Sequence, residues 1–316
     1  MATRRVILDT DIGTNPDDCL ALAFVLASHE LELVALTTVY GNVAVRARIA
    51  LKLLRLRGIH GDLPVAMGAD RPLLRQRPVY WAGHEGQGLL EPADEALPPS
   101  KQHAVDLIVD TVMAHPREIT LVAIGPLTNV ALAFQREPHL AANLAELVVM
   151  GGVVGRAHAL HLPRAASPER GLPWTEHNFR SDPEAAQVAL SAGAPVTIVP
   201  LDVTTQVCIR AHDLELIRAA GDAYHQALAG QVSLYPPFAQ RGWGYLHDPL
   251  AVAALIDPSL VTTESLRAVV ETRGEHTAGK LLVAPPSSDA PATANVALYV
   301  DAPRAERFIL DRLAVR

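Results

Sequence analysis

Short runs of β-branched and aliphatic residues alternate with longer stretches of helical period along almost the whole chain. Arg5–Leu8 is followed by a helix-like segment Asp17–Ser28, then by Leu33–Val39 and a second helix-like segment Val45–Arg57. Further strands are predicted at Ile119–Ile124, Leu147–Met150, Val196–Pro200, Ala268–Glu271 and Val296–Val300. Helices are predicted at His103–Ala114, Asn129–Gln135, Glu184–Ala192, Leu214–Ala219, Pro249–Ile256 and Ala305–Leu313. Parallel strands need long crossovers, usually helical, so this rhythm predicts an α/β fold: a mostly parallel, Rossmann-like central sheet flanked by helices.

With no internal repeat, low-complexity tract or long linker in the 316 residues, one domain over 1–316 is the expectation. Three stretches interrupt the rhythm: Asp70–Pro99, His158–Trp174 and Ala284–Ala294. The first two define loop insertions around 70–99 and 153–175, and irregular stretches of that length inside a compact domain are usually binding loops or lids.

Composition narrows the function classes. A formal charge of −7 with no Lys/Arg block beyond Arg4-Arg5 gives no phosphate-backbone footprint, so no nucleic-acid partner is expected. Cys19 and Cys208 are the only cysteines, which supports neither a disulfide framework nor a cysteine zinc site. There is no signal-like segment after Met1 and no apolar run of bilayer length, so no membrane partner is expected and a soluble, cytoplasmic protein is the expectation.

In open α/β sheets, ligands bind beyond the carboxyl ends of the strands. Polar and glycine residues gather there: Asp9 and Asp11, Tyr40-Gly41-Asn42, Gly125–Asn129, Met150-Gly151-Gly152 and Leu201-Asp202. The first group belongs to the run Asp9-Thr-Asp11-Ile-Gly13-Thr-Asn-Pro-Asp17-Asp18. Four carboxylates within ten residues repel one another unless a cation or protons compensate them. Oxygen ligands suit Ca²⁺ or Mg²⁺, and no nearby Cys or paired His argues for zinc. Helix capping accounts for Asp17 and Asp18 at most, leaving Asp9 and Asp11 unexplained. A strand followed by Asp-x-Asp also opens haloacid-dehalogenase-like Mg²⁺ phosphohydrolases, but their Thr or Val two residues after the second Asp is Gly13 here, and no later lysine-plus-acidic-pair signature follows.

The run resembles the signature Asp-x-Asp-Pro-Gly-x-Asp-Asp of the inosine-uridine preferring nucleoside hydrolase family, with Ile12 for Pro and two extra residues before Asp17. The resemblance continues collinearly through Thr37–Asn42, His84–Gly88, Gly125–Asn129, Met150–Gly152, Glu176-His-Asn178, Asp182–Ala186, Leu201–Thr204 and His247-Asp248-Pro249. It implies the nucleoside hydrolase fold and calcium-dependent hydrolysis of the N-glycosidic bond of ribonucleosides to free ribose and a nucleobase. It further implies a Ca²⁺ held by Asp11, Asp18, the carbonyl of Thr128 and Asp248, with Asp9 supporting the others. Asp11 would be the general base, His247 would protonate the leaving base, and Asp17, Asn42, Glu176 and Asn178 would bind ribose. His84 would line the pocket or act on the base, and Tyr235 and Trp243, with Trp174 near Glu176, would stack on the nucleobase; Tyr245 is read equally as stacking or core. A homodimer or homotetramer working in nucleoside salvage is the further implication. The phosphohydrolase, and a catalytically silent nucleoside-binding protein, are the alternatives. One departure concerns the sugar: the asparagine that relatives place upstream of Glu-x-Asn has no clear equivalent in Arg156–Trp174, where Arg170 stands near its position. This leaves room for a 5′-substituted ribose.

Overall fold

The computed structural model describes residues 3–61, 63–155 and 175–315; the segment 156–174, and with it Arg170 and Trp174, lies outside the described residues. Eleven strands are present among the described residues: β1 (Arg4–Thr10), β2 (Leu31–Thr38), β3 (Val65–Met67), β4 (Ile119–Ala123), β5 (Glu146–Met150), β6 (Val196–Val199), β7 (Cys208–Arg210), β8 (Trp243–Tyr245), β9 (Val261–Val270), β10 (Leu281–Ala284) and β11 (Ala294–Val300). Nine of them form one sheet in the order β10-β9-β11-β6-β5-β4-β1-β2-β3, parallel except where β9 runs against both β10 and β11. The short β7 and β8 pair separately as an antiparallel ribbon.

The helices are α1 (Asp17–Ala27), α2 (Val43–Leu56), α3 (Ala104–Ala114), α4 (Thr128–Arg136), α5 (Leu140–Asn143), α6 (His177–Ser181), α7 (Pro183–Ser191), α8 (Leu201–Thr204), α9 (Ala211–Ala219), α10 (Ala223–Leu234), α11 (Pro236–Arg241), α12 (His247–Ile256) and α13 (Ala302–Leu313). Two apolar clusters cover the two sheet faces. Val6 and Leu8 of β1 point into one, with α1, α2, α10, α12 and α13; Ile7 points into the other, with α3, α4 and α7. That alternation is the period-two geometry of a strand buried on both sides.

The chain runs from β1 outward through β2 and β3, then returns to place β4, β5 and β6 on the other side of β1. The order therefore reverses between β1 and β4, and the crevice at such a switch point is where an open α/β sheet accepts ligands. Asp11 and the N-terminus of α1 follow β1 at that place.

The predicted strands and helices all appear, with shifted ends. Absent from the expectation were β3, β7, β8, β10, the first part of β9, and α5, α6, α8, α10 and α11. Most are only three to six residues long, too short for periodicity to show. In β9, exposed Thr262, Thr263 and Arg267 alternate irregularly with buried positions across a register shift opposite Ala297 and Tyr299.

A buried asparagine joins strand ends near the switch point. Asn129 donates to Asp9 Oδ1 at 2.8 Å and to the Thr38 carbonyl at 3.1 Å, and its Oδ1 accepts from the Ala69 amide at 2.9 Å. The Asn129→Ala substitution is expected to cost about 2–4 kcal/mol, because it orphans at least two buried polar partners at roughly 1–3 kcal/mol each. Urea unfolding of the two proteins measures it, and a loss below about 1 kcal/mol would show that these groups find other partners.

Candidate active site

A cavity of about 300 Å³ opens at the switch point and is lined by Asp11, Asp17, Asp18, Glu176, His177, Asn178, Arg180, His247 and Asp248, with Tyr80, Ile124 and Met150 among its walls. A larger cavity of about 530 Å³ between α2 and the residues preceding Ser100 is lined mainly by Leu, Ile and Pro side chains and lacks this chemistry. Asp17 and Asp18 begin α1, and Asp248 lies in the first turn of α12, which packs against α1. Two helix N-termini thus present their positive ends to one group of carboxylates.

Among the described residues, oxygens of Asp17, Asp18 and Asp248 lie within 4.8 Å of one another, and all three residues are buried. Burial, together with the charge of neighbouring aspartates, raises all three carboxyls: Asp17 to about 7, and Asp18 and Asp248 well above the usual range. The Thr10 hydroxyl donates to Asp18 and opposes the shift there. A close, buried set of oxygen donors that resists ionisation fits a hard divalent cation, since the ion replaces the protons such a set otherwise retains. The sequence groups Asp11, Asp18, Thr128 and Asp248; among the described residues the close carboxylate cluster joins Asp18 and Asp248 to Asp17.

Asp11 is electrostatically different from its neighbours. Burial pushes its carboxyl up, but the His177 ring 3.7 Å from Oδ2 and the Arg46 guanidinium 3.9 Å away outweigh it and hold the group below the ordinary carboxylate range. Asp11 is therefore the cavity carboxylate poised as an anion. Asp9 lies fully buried behind it, raised to about 7 by burial despite hydrogen bonds from Thr37 at 2.6 Å and Asn129. Among the described residues its Oδ2 has no hydrogen-bond partner.

Arg46 escaped sequence reasoning. It is 1% exposed and reaches from α2 under the acidic turn. Its Nε donates to the Tyr40 carbonyl at 2.6 Å, and Nη1 donates to the carbonyls of Ile12, at 2.9 Å, and Asp11. The Trp81 ring covers the guanidinium at 5.1 Å. The signal was present: Arg46 shares the helix face of Ile49, Ala50 and Leu53, and a charge on an apolar face needs a buried partner. Gly41, with φ of 75°, lets the chain turn where a Cβ would come within 2.8 Å of Trp81.

The remaining expected residues fall into groups. Glu176 and Asn178 line the cavity but are also tied into the framework. Glu176 caps α6 by accepting from the amides of Asn178 and Phe179, and Asn178 Nδ2 donates to the carbonyls of Ile124 and Met150. His247 reaches the cavity with Nδ1 2.7 Å from the Thr204 hydroxyl, and burial lowers its imidazole to about 4. His84 and Tyr235 line a smaller adjoining cavity with Gln87 and Gln231, which shares Thr14 and Asn15 with the main one. Thr128 starts α4 with its hydroxyl given to Asp182 at 2.7 Å. Thr128 is not among the residues lining the cavity, and two others stand apart from it as well: Asn42 is exposed and caps α2 through the Val45 amide, and Trp243 packs between Arg241 and Tyr245. Tyr245 in turn packs against His247 at 4.9 Å.

A family model described as inosine-uridine preferring nucleoside hydrolase matches residues 6–307. The chain belongs to that family. Among curated relatives, the pyrimidine-specific ribonucleoside hydrolase RihA of Citrobacter koseri is 35% identical over 287 residues, 88% of this chain and 87% of the relative. Among solved structures, a purine-preferring ribonucleoside hydrolase from Gardnerella vaginalis aligns with a TM-score of 0.84 at 30% identity, covering 98% of each chain. An inosine-guanosine nucleoside hydrolase aligns with a TM-score of 0.82 at 26% identity, covering 99% of each. This nucleoside hydrolase is thus an N-glycosyl hydrolase of ribonucleosides, and neither the phosphohydrolase nor the silent binding protein is favoured.

Two outcomes follow for the nucleoside hydrolase. A carboxyl whose folded pKa is raised binds its proton more tightly folded than unfolded, so stability is lost as pH rises from the unfolded value, about 4, through the folded one. Asp11, lowered instead, contributes constant stability over that window. His247, lowered to about 4, works in the opposite sense, but the raised carboxyls of Asp9, Asp17, Asp18 and Asp248 outnumber it. Metal-free protein should therefore melt at lower temperature at about pH 8 than at about pH 5, and a saturating divalent cation should shrink the difference, leaving the part due to Asp9; a flat or rising profile would contradict the shifts. Replacing Arg46 by Met should cost about 3–5 kcal/mol of metal-free stability, because it leaves buried Asp11 with only His177 beside it and orphans the carbonyls of Tyr40 and Ile12. Denaturant unfolding with and without the cation checks this, and the loss should shrink when the cation is bound.

Proposed function

We propose that this chain is a calcium-dependent ribonucleoside hydrolase in which Asp11 is the general base and His247 serves the leaving base. The observation that carries the reading is the pairing, in one cavity, of a close oxygen cluster with a single carboxylate held ionised beside it. Asp18 and Asp248 would hold the ion together with Asp11 and the Thr128 carbonyl, with Asp17 close enough to share it or to meet a ribose hydroxyl. When bound, the ion supplies fixed positive charge that orients oxygen ligands and makes a nearby water more acidic.

The protein's own groups account for the rest. Asp11 accepts the proton of the attacking water as it adds at the anomeric carbon. The surrounding carboxylates stabilise the positive charge that develops on the ribosyl ring as the bond to the base breaks. His247, kept neutral at pH 7 by burial, hydrogen-bonds the departing base through its N–H, and the base nitrogen takes its proton from solvent while Asp11 returns the proton it accepted. Glu176 and Asn178, fixed by their backbone contacts, would frame the sugar without rearranging. Tyr235 and His84 in the adjoining cavity would meet the base, with Gln87 and Gln231 offering it polar contacts; roles for Asn42 and Trp243 would require contacts beyond the cavity lining.

The relatives' names span pyrimidine-specific and purine-preferring enzymes, so the proposal is at the level of the ribonucleoside. A single domain over 1–316, a homodimer or homotetramer, and a cytoplasmic salvage role complete it; no helix among the described residues is long and apolar enough to cross a membrane.

Purine, pyrimidine and nicotinamide ribosides incubated with the calcium-loaded protein should release free sugar without added phosphate. Chelation should abolish release and calcium restore it, and Asp11→Ala should lower kcat by roughly 10²–10⁴-fold. Turnover that survives complete chelation would remove the calcium requirement, and turnover on none of the ribosides would remove the reading.

A further inference from the structure

The cavity is two-signed. Its acidic residues are committed: Asp17, Asp18 and Asp248 to one another, Asp11 to Arg46 and His177. Glu176, the remaining carboxylate of the lining, spends both oxygens on backbone amides, those of Asn178 at 2.7 Å, Phe179 at 3.0 Å and Gly152 at 3.1 Å. Arg180 lines the same cavity, its side chain is exposed, and among the described residues no carboxylate pairs with it. Its backbone is fixed nonetheless: a Cβ on Gly279 would fall 2.6 Å from Arg180 Cα. A guanidinium on a fixed helix, lining a ligand cavity and unpaired with any carboxylate among the described residues, is suited to a planar, bidentate oxyanion. His177, one helical turn earlier on α6, lines the cavity beside it, edge-on to Tyr80 at 6.1 Å.

Resting on the ribonucleoside reading, we propose that Arg180, with His177, binds an anionic substituent on the 5′ carbon of the ribosyl group, and that ribonucleoside 5′-monophosphates are substrates. Ribosyl chemistry selects the position. The anomeric carbon carries the base, and the 2′ and 3′ hydroxyls are the oxygens available to the acidic cluster and its cation. The 5′ oxygen is the remaining point at which the sugar carries an anion. Asn178, whose amide hydrogens are given to main-chain carbonyls, has none to spare for a 5′ hydroxyl. Hydrolysis adds water across the bond between the anomeric carbon and the base nitrogen, giving ribose 5-phosphate and the free base.

The test compares kcat/KM for uridine with uridine 5′-monophosphate, and inosine with inosine 5′-monophosphate, on calcium-loaded protein. The monophosphate is expected to match or exceed its nucleoside. Arg180→Ala should lower the monophosphate-to-nucleoside ratio at least about tenfold, the scale of one charge-assisted contact, and Arg180→Lys should lower it less. Turnover of nucleosides with none of monophosphates, or an unchanged ratio in Arg180→Ala, would overturn the proposal while leaving the ribonucleoside reading intact. Orotidine beside uridine separates an anion on the base: an Arg180 effect confined to orotidine would overturn the 5′ assignment. If nothing is hydrolysed, the ribonucleoside reading fails, and calorimetry still decides the anion site. Ribose 5-phosphate binding more tightly than ribose, with the difference lost in Arg180→Ala, supports it; equal binding overturns it.

Discussion

Mutual repulsion among buried carboxylates is the constraint around which this structure is arranged. Asp9, Asp11, Asp17, Asp18 and Asp248 are all within the protein, and burial alone pushes every one of them toward its neutral form. Left as anions without compensation they would cost several kcal/mol each. The fold answers in three ways. Two helix N-termini face the cluster, Arg46 lies beneath the turn as a buried counter-charge, and the oxygens that remain are gathered closely enough for one ion.

The same arrangement divides labour among chemically identical side chains. Arg46 and His177 hold Asp11 toward its ionised form, while Asp17, Asp18 and Asp248, which share each other's field, are pushed toward their neutral forms. Asp9 lies one layer deeper, clamped by Thr37 and Asn129. Five aspartates thus take three roles, set by who stands next to each. On the proposed function, that separation would supply a base to accept a proton beside a pocket for positive charge. Arg180 adds the opposite sign to the same lining, the feature on which the proposed 5′-anion site rests.

Much of this is legible in the residues. The alternation of apolar runs locates the main strands, and the rule that ligands gather at carboxyl ends points to Asp11 and Asn129 from their places in the chain. Glu176 and Asp248 lie in loops and helix starts, where only the family's motifs single them out. What escapes does so for physical reasons. β3, β7 and β8 are three residues each, shorter than one repeat of any useful pattern. Arg46 is hidden in a helix whose other face is rich in arginine, and only its position among Ile49 and Leu53 marks it as buried. Asn42 sits at the end of β2 as expected, yet its side chain is used as a helix cap, a choice local sequence allows but does not dictate. Trp243 reads as a base platform from its place before His247, whereas the β7–β8 ribbon turns it against Arg241 instead.

On the proposed function, the buried carboxylates form one cation site rather than a proton-bridged cluster. A crystal grown with calcium, with the ion located by its anomalous signal, tests it most directly. The expected result is one strong site in contact with Asp18 and Asp248 at about 2.3–2.6 Å, with oxygen ligands only. A map with no ion at that position under saturating calcium, and the aspartates paired through short oxygen–oxygen contacts, would contradict it.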